Sequence, residues 1–302
     1  MKNMAENGWT RRAFLAAGIA VSAMALSRGV DAEPWEPEAG LTLAREDNWL
    51  IIRGDKLPEG EVRVNYLEAY CRAGSTDADW VGHTLVPHET ELASLTPDGR
   101  RMELQCTLED GLIVQHRITA GRDEVDFRLI AHNPTDERSE AHWAQPCMRV
   151  GPFTGYVDPD IPSPEDYLHK CFVFIGSELE RMPTPEWETE ARYTPGQVWR
   201  PAHVAKTDVN PRPLNPVIPS KGLIGCYSED ESLILATAWE PYQELFQGVA
   251  RCLHSDFRLA GLEPGEIKRV RGKIYITSND VPALVARYRR DFPEHMAHPR
   301  HD

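Results

Sequence analysis

Along most of the chain, apolar and polar residues alternate with a period of two, and turn-forming residues break the alternation at short intervals. NWLIIRG (48–54) is the first such segment, followed by VRVNYLEAYCR (62–72). MELQCTLEDGLIVQHRITAG (102–121) reads as a hairpin turning at Glu-Asp-Gly, and EVDFRLIAHNPT (124–135) alternates until an Asn-Pro turn. AHWAQPCMRVG, KCFVFIG, GLIGCYS, SLILATAWEP and KRVRGKIYI continue the series. Successive side chains of a strand point to opposite faces, so these runs, rich in Val, Ile, Tyr and Phe, predict an all-β, antiparallel sandwich. One short C-terminal helix is predicted, DVPALVARYRRDFPEH (280–295). Asp280 caps it, Pro282 suits its first turn and Pro293 stops it.

The pattern fails over 178–220, which holds eight prolines and three aromatic residues, Trp187, Tyr193 and Trp199. A plain connection is rarely so long, and disordered segments are poor in aromatics. The expectation is an ordered, proline-stiffened excursion over one sheet face, which either lines a cleft or only buries that face.

The N-terminus stands apart from the sandwich. Arg11 and Arg12 precede an apolar run from Ala13 to Leu26, and Val30, Asp31 and Ala32 follow at the spacing of a cleavage site. This resembles a twin-arginine export signal. The run is about 14 residues, short of the roughly 20 that a bilayer crossing needs. Residues 1–32 are therefore expected to be removed, leaving 33–302 as a single sandwich domain, periplasmic or secreted and without a stable membrane anchor. A chain exported folded can also load a metal beforehand.

Without residues 1–32 the chain keeps 29 of its 33 basic and 45 of its 47 acidic residues, a net charge of −16. Such a domain repels nucleic acid and anionic membranes. Six cysteines remain, none in CxxC spacing. Several lie in apolar runs, so the expectation is mostly buried thiols, with room for one disulfide. GxSxG, P-loop, HExxH and GxGxxG patterns are absent, which removes esterase, kinase, zincin and Rossmann dehydrogenase readings.

HNPTDERSEAHWAQPCMRV (132–150) resembles the middle of galactose-mutarotase-like proteins, where a strand ends in Asn-x-Thr/Ser and the next carries an active-site histidine. ATAWEPYQ (236–243) and the later LEPGE (262–266) resemble that superfamily's closing pattern, a strand ending in glutamate and a turn into the last strand. The resemblance spans 124–276 and implies a supersandwich and chemistry on sugars, with His142 and Glu240 as the catalytic pair. The mutarotase His-x-Tyr-Phe is replaced here by HWAQP.

Chemistry at a sugar ring needs a proton donor and acceptor around the reacting carbon, and aromatic faces to hold the ring. His142, Glu240 and His254 are the catalytic candidates. Glu240 is expected where the strand LILATAW leaves its sheet, and His254 at the end of a next strand VARCLH, both facing one cleft with His142. The alternatives are a solvated carboxylate, a hydrogen-bonded histidine and a turn capped by Ser255 or Asp256. In NYLEAYCR, period two places Glu68, Tyr70 and Arg72 on one face, where they cradle a sugar or form an ion pair. Trp187, Tyr193, Trp199 and Tyr242 are candidate stacking platforms. His83 and His88, near Glu89 and Glu91, are candidate ligands for a divalent metal. The first reading is an exported carbohydrate-active enzyme of epimerase, lyase or hydrolase type, acting on a sugar or polysaccharide. The alternatives are a non-catalytic carbohydrate-binding or interaction protein, and a histidine-ligated metal-dependent enzyme.

Overall fold

The computed structural model describes residues 40–74, 80–156, 166–176, 178–185, 197–210, 213–248 and 250–296. All lie in the second of two compact units, 34–302. The expected export signal, Trp187 and Tyr193 fall outside the described residues.

The strands, in chain order, are β1 Thr42–Glu46, β2 Trp49–Arg53, β3 Glu61–Cys71, β4 Leu85–Val86, β5 His88–Leu95, β6 Arg101–Leu108, β7 Ile113–Ala120, β8 Glu124–His132, β9 Trp143–Arg149, β10 Cys171–Ile175, β11 Glu178–Arg181, β12 Val198–Trp199, β13 Leu223–Tyr227, β14 Leu233–Glu240, β15 Tyr242–Gly248, β16 Cys252–Arg258 and β17 Ile267–Ser278. They form two antiparallel sheets. Sheet A runs β1-β2-β3-β9-β16-β15-β12, with β4 also on β3; sheet B runs β11-β10-β13-β14-β17-β8-β7-β6-β5. This is the sandwich that the alternating pattern predicts.

The inner faces meet in one core, with Val62, Val64, Met148, Leu253 and Phe257 from sheet A and Leu104, Val114, Phe127, Leu235 and Ile274 from sheet B. In β6, β7 and β8 buried residues alternate with exposed or half-buried ones, as one-sided strands should. Strand β13 is buried on both faces. The helix Val281–Asp291 lies over it, packing Leu284 and Tyr288 among Phe172, Phe174, Ile234 and Tyr275. Asp280 caps that helix by accepting from the Ala283 amide at 2.9 Å. Trp239 lies across from Gly272 on β17, where a Cβ would stand 2.3 Å from the indole.

Two local expectations change. YQELFQG is a fully buried strand, β15, where the sequence suggested the loop between two strands. The chain crosses from sheet B to sheet A at Pro241, so Glu240 and His254 belong to different sheets rather than neighbouring strand ends. All six cysteines are buried free thiols and no disulfide forms.

Candidate active site

A cluster of the buried polar residues lies on the outer face of sheet A. Along β16, period two sends Leu253 and Phe257 into the core and Cys252, His254, Asp256 and Arg258 to the other side. Pairing sets Glu244 opposite Asp256, Phe246 opposite His254 and Gly248 opposite Cys252. On the other flank Leu253 meets Met148 and Phe257 meets Ala144, a register that brings Cys147 beside His254 and Gln145 beside Asp256. Gly248 makes this packing possible, because a Cβ there would stand 2.3 Å from Cys252 Sγ and 3.0 Å from His254 Nε2.

This face is covered by the proline-rich excursion. Val198, Val204 and Val209 pack with Phe246, and β12 extends the sheet along β15. The Asn210 amide donates to Glu244 Oε2 at 2.9 Å. Arg258 donates to Asp208 Oδ2 at 2.9 Å and to Gln243 Oε1, Gln243 donates to the Asp208 carbonyl, and the Gly74 amide donates to Asp208 Oδ1 at 3.1 Å. Glu244 and Asp256 end up with no solvent exposure, and His254 and Cys252 with almost none. An excursion that buries this face was one of the two outcomes the sequence left open.

Burial of so many ionisable groups shapes their protonation. Burial, and then the charge of Asp256, pushes the Glu244 carboxyl well above the usual carboxylate range. Burial raises Asp256 to about 7, against the pull of His254. His254 Nε2 is 3.2 Å from Cys252 Sγ, and Nδ1 is 3.6 Å from Asp256 Oδ1, while the ring stacks on Phe246 at 4.1 Å. Burial disfavours its cationic form, but Cys252 and Asp256 outweigh that and hold it up to about 10. A hydrogen bond from Cys147, opposed by burial and reinforced by His254, holds the Cys252 thiol well below its ordinary value. Glu244 Oε1, both Asp256 carboxyl oxygens, Gln145 Oε1 and His254 Nδ1 have no hydrogen-bond partner among the described residues. Buried polar groups are normally paired, so orphaned atoms crowded together single this cluster out as the candidate site.

Beside the covered cluster the face opens. Gln145 donates to Glu68 Oε2 at 2.8 Å, Asn65 donates to Glu68 Oε1 at 3.3 Å, and Arg149 lies 4.0 Å from Glu68. Arg149 also sits 5.3 Å above the Trp49 ring. With Glu59, Glu61, Arg63, Pro152 and Phe153 it lines a groove of about 360 Å³, within the size range of small-ligand sites.

The catalytic candidates read from sequence lie in three separate networks. His254 is in the buried cluster. His142 precedes β9, half-buried; its backbone carbonyl accepts from the Leu259 and Ala260 amides. Burial lowers its pKa, partly offset by Asp208. Glu240 Oε2 is 2.7 Å from His295 Nε2, tying β14 to the chain's C-terminal turn.

The substrate candidates are also rearranged. A register shift between Asn65 and Ala69 breaks the period of two in β3. Glu68 therefore turns outward to Gln145, while Tyr70 turns into the core, 3.2 Å from His116 Nε2. Arg72 pairs with Glu140 at 2.6 Å and not with Glu68. Trp199 and Tyr242 are buried in the core cluster, so neither is an exposed stacking platform. His83 is exposed on the turn Trp80–Thr84, whereas His88 opens β5 with its ring 4.9 Å from that of Tyr70. They do not form a ligand group; Cys147, Cys252 and His254 do, their ligand atoms all within 4.8 Å of one another.

Sequence reading passed over Glu244, Cys147, Gln145 and Arg149. A signal for them existed in CLHSDFR, a strand too polar on one side to be core unless a second layer covers it.

Comparisons with known proteins bear on the fold. No family model matches the chain, and no curated protein matches it. Solved structures of similar fold include a galactose mutarotase-like protein from Lactobacillus casei ATCC 334, with TM-score 0.44 and 7% identity over 80% of this chain and 99% of that one. A protein from Synechocystis sp. PCC 6803 gives TM-score 0.46 and 11% identity over 82% and 96%. A candidate aldose 1-epimerase from Escherichia coli K12 gives 0.40 and 10% over 78% and 98%. Several of the structural neighbours are described as mutarotase-like or epimerase proteins, at 6–10% identity.

Proposed function

We propose that this chain is a carbohydrate-active enzyme of the epimerase type, working by acid–base catalysis with Glu244 and Asp256 as its proton-transfer pair. The observation that carries the reading is the placement of two fully buried carboxyl groups directly opposite each other on β15 and β16. Two carboxyls so close do not both ionise readily, so one stays protonated near neutral pH while the other is a base. That is the division of labour that ring opening of a cyclic sugar needs. One carboxylate takes the proton of the anomeric hydroxyl as the other gives a proton to the ring oxygen. Closing the ring on the other face reverses both transfers, and the enzyme returns to its starting state.

The neighbouring groove supplies the binding chemistry. Arg149, Arg63, Glu59 and Glu61 offer donors and acceptors for hydroxyl groups, and Pro152 and Phe153 offer apolar surface. Glu68 accepts from Gln145, the residue beside Asp256 in the register of β9 and β16. Because both carboxyls are covered, turnover requires the strap over residues 197–210 to shift and admit the ring.

Polarimetry tests this reading. A freshly dissolved α-anomer of an aldohexose or a hexuronic acid should reach rotational equilibrium faster with the protein than in buffer alone. If no sugar in such a panel equilibrates faster, the reading fails. Export belongs to the same proposal and rests on Arg11, Arg12 and the apolar run after them. Lysine at both arginines should retain the precursor in the cytoplasm, and N-terminal sequencing of the exported form should begin near Glu33.

A further inference from the structure

We infer that Cys147, Cys252 and His254 form a binding site for a borderline-soft divalent cation, zinc foremost, in the wall of the polar face. The three come from adjacent strands in fixed register, and none is a surface residue. Their ligand atoms lie within 4.8 Å of one another, and His254 Nε2 is already 3.2 Å from Cys252 Sγ. With bonds of ~2.3 Å to sulfur and ~2.0 Å to nitrogen, a tetrahedral zinc site brings its ligand atoms to roughly 3.5–3.8 Å from one another. The observed separations bracket those of such a site, from 3.2 Å to at most 4.8 Å.

A second observation points the same way. Asp256 carries two orphaned oxygens, is fully buried, and sits 3.6 Å from His254 Nδ1 on the side away from the thiols. Metal-bound histidines almost always give their other ring N–H to a carboxylate, which fixes the tautomer and strengthens the ligand. Here the carboxylate is in place and a small approach completes the bond. Two thiolates and an imidazole select zinc over magnesium or calcium, which prefer oxygen. Binding needs two thiolates and a neutral imidazole, so the proton of Cys147 and the one shared by Cys252 and His254 are released, two per ion, and a neutral bis-thiolate centre remains. Three protein ligands leave a fourth position, as in catalytic rather than structural zinc sites.

This inference goes beyond the carbohydrate reading and does not depend on it. The test uses the full chain purified under reductant. Zinc titrated against a chromophoric chelator should bind at one equivalent, and cobalt in its place should give thiolate-to-cobalt charge-transfer absorption in the near ultraviolet. Cys147→Ser and Cys252→Ser should each abolish that band, and Asp256→Asn should weaken zinc binding about 10–100-fold. Cys226→Ser, a buried thiol of β13, should change neither. If the ligand variants do not fold, X-ray absorption of the zinc-loaded wild type still decides, with two sulfurs and at least one nitrogen expected. Substoichiometric binding, or a metal shell without sulfur, overturns the site. Polarimetry on zinc-free and zinc-loaded protein separates the two proposals. Zinc bound by sulfur without faster mutarotation sinks the sugar reading alone, and mutarotation without zinc affinity sinks the metal site alone.

Discussion

Glu244 and Asp256 face each other across β15 and β16, and the only backbone donor to either carboxyl among the described hydrogen bonds is the Asn210 amide on Glu244. Glu244 therefore sits mainly in the field of Asp256, whereas Asp256 answers chiefly to His254. Glu244→Gln and Asp256→Asn should each lower turnover by about 10²–10⁴-fold, the usual worth of a positioned acid or base. The melting temperature should hold or rise for Glu244→Gln, which removes a buried carboxyl and a like-charge repulsion, and fall for Asp256→Asn, which takes from the buried His254 its carboxylate partner. Parallel polarimetric and thermal-unfolding measurements check this. A variant that melts earlier with normal turnover would mark the pair as scaffold.

Asp208 fastens the strap. It accepts from Arg258 and Gly74 through its carboxylate, and its carbonyl accepts from Gln243. Asp208→Ala removes the two side-chain bonds and leaves Arg258 without its carboxylate, for an expected loss of about 1.5–3 kcal/mol. Limited proteolysis should then cut within 200–210 sooner than in the wild type, while cleavage elsewhere is unchanged.

His116 bridges the two sheets from inside the core, 2.8 Å from the Tyr66 hydroxyl and 3.2 Å from that of Tyr70. Burial lowers its pKa to about 3, and the charges of His88 and Arg45 act in the same direction. The sign is that of a depressed group: the unfolded chain takes up the proton first, near pH 6.5. The stability it supports is complete above that pH and is withdrawn toward pH 3, at a limiting slope of about 1.4 kcal/mol per pH unit. His116→Gln should be less stable at pH 7 but lose less stability between pH 6 and 4, as denaturant melts across that range will show.

Glu240 holds the chain's end to the sandwich. His295 Nε2 meets its carboxylate at 2.7 Å, and Tyr288, whose hydroxyl contacts His295 Nδ1, accepts from the Gly222 amide at 2.7 Å. Glu240→Ala should speed amide exchange in 292–296 and cost about 1–2 kcal/mol, the scale of a hydrogen bond to a charged group. Turnover should be unaffected. A collapse of turnover with unchanged exchange would return Glu240 to the active site.

The sandwich was legible because alternation is a local property, and each of the hairpin Arg101–Ala120, the strand Glu124–His132 and the capped helix Val281–Asp291 declares itself within a dozen residues or so. The site was less legible because it depends on register across strands far apart in sequence. Cys147 and His254 are brought together only by the pairing of β9 with β16. Glu68 and Tyr70 part company through an irregularity in β3 that leaves no mark in the composition of NYLEAYC. YQELFQG carries Gln243, Glu244 and Gln247, and a buried polar strand makes sense only once the covering strap is known.

Strand β17 has a consequence for how the molecule comes into being. It sits between β14 and β8, in the middle of sheet B, yet it follows every other described strand along the chain. Until residue 278 is available, sheet B is two halves with facing open edges, β8 on one side and β14 on the other. The native topology therefore cannot be completed progressively from the N-terminus during translation. Assembly waits for residues 267–278, and any product truncated before Ile267 exposes two long adhesive edges in place of the sheet's centre.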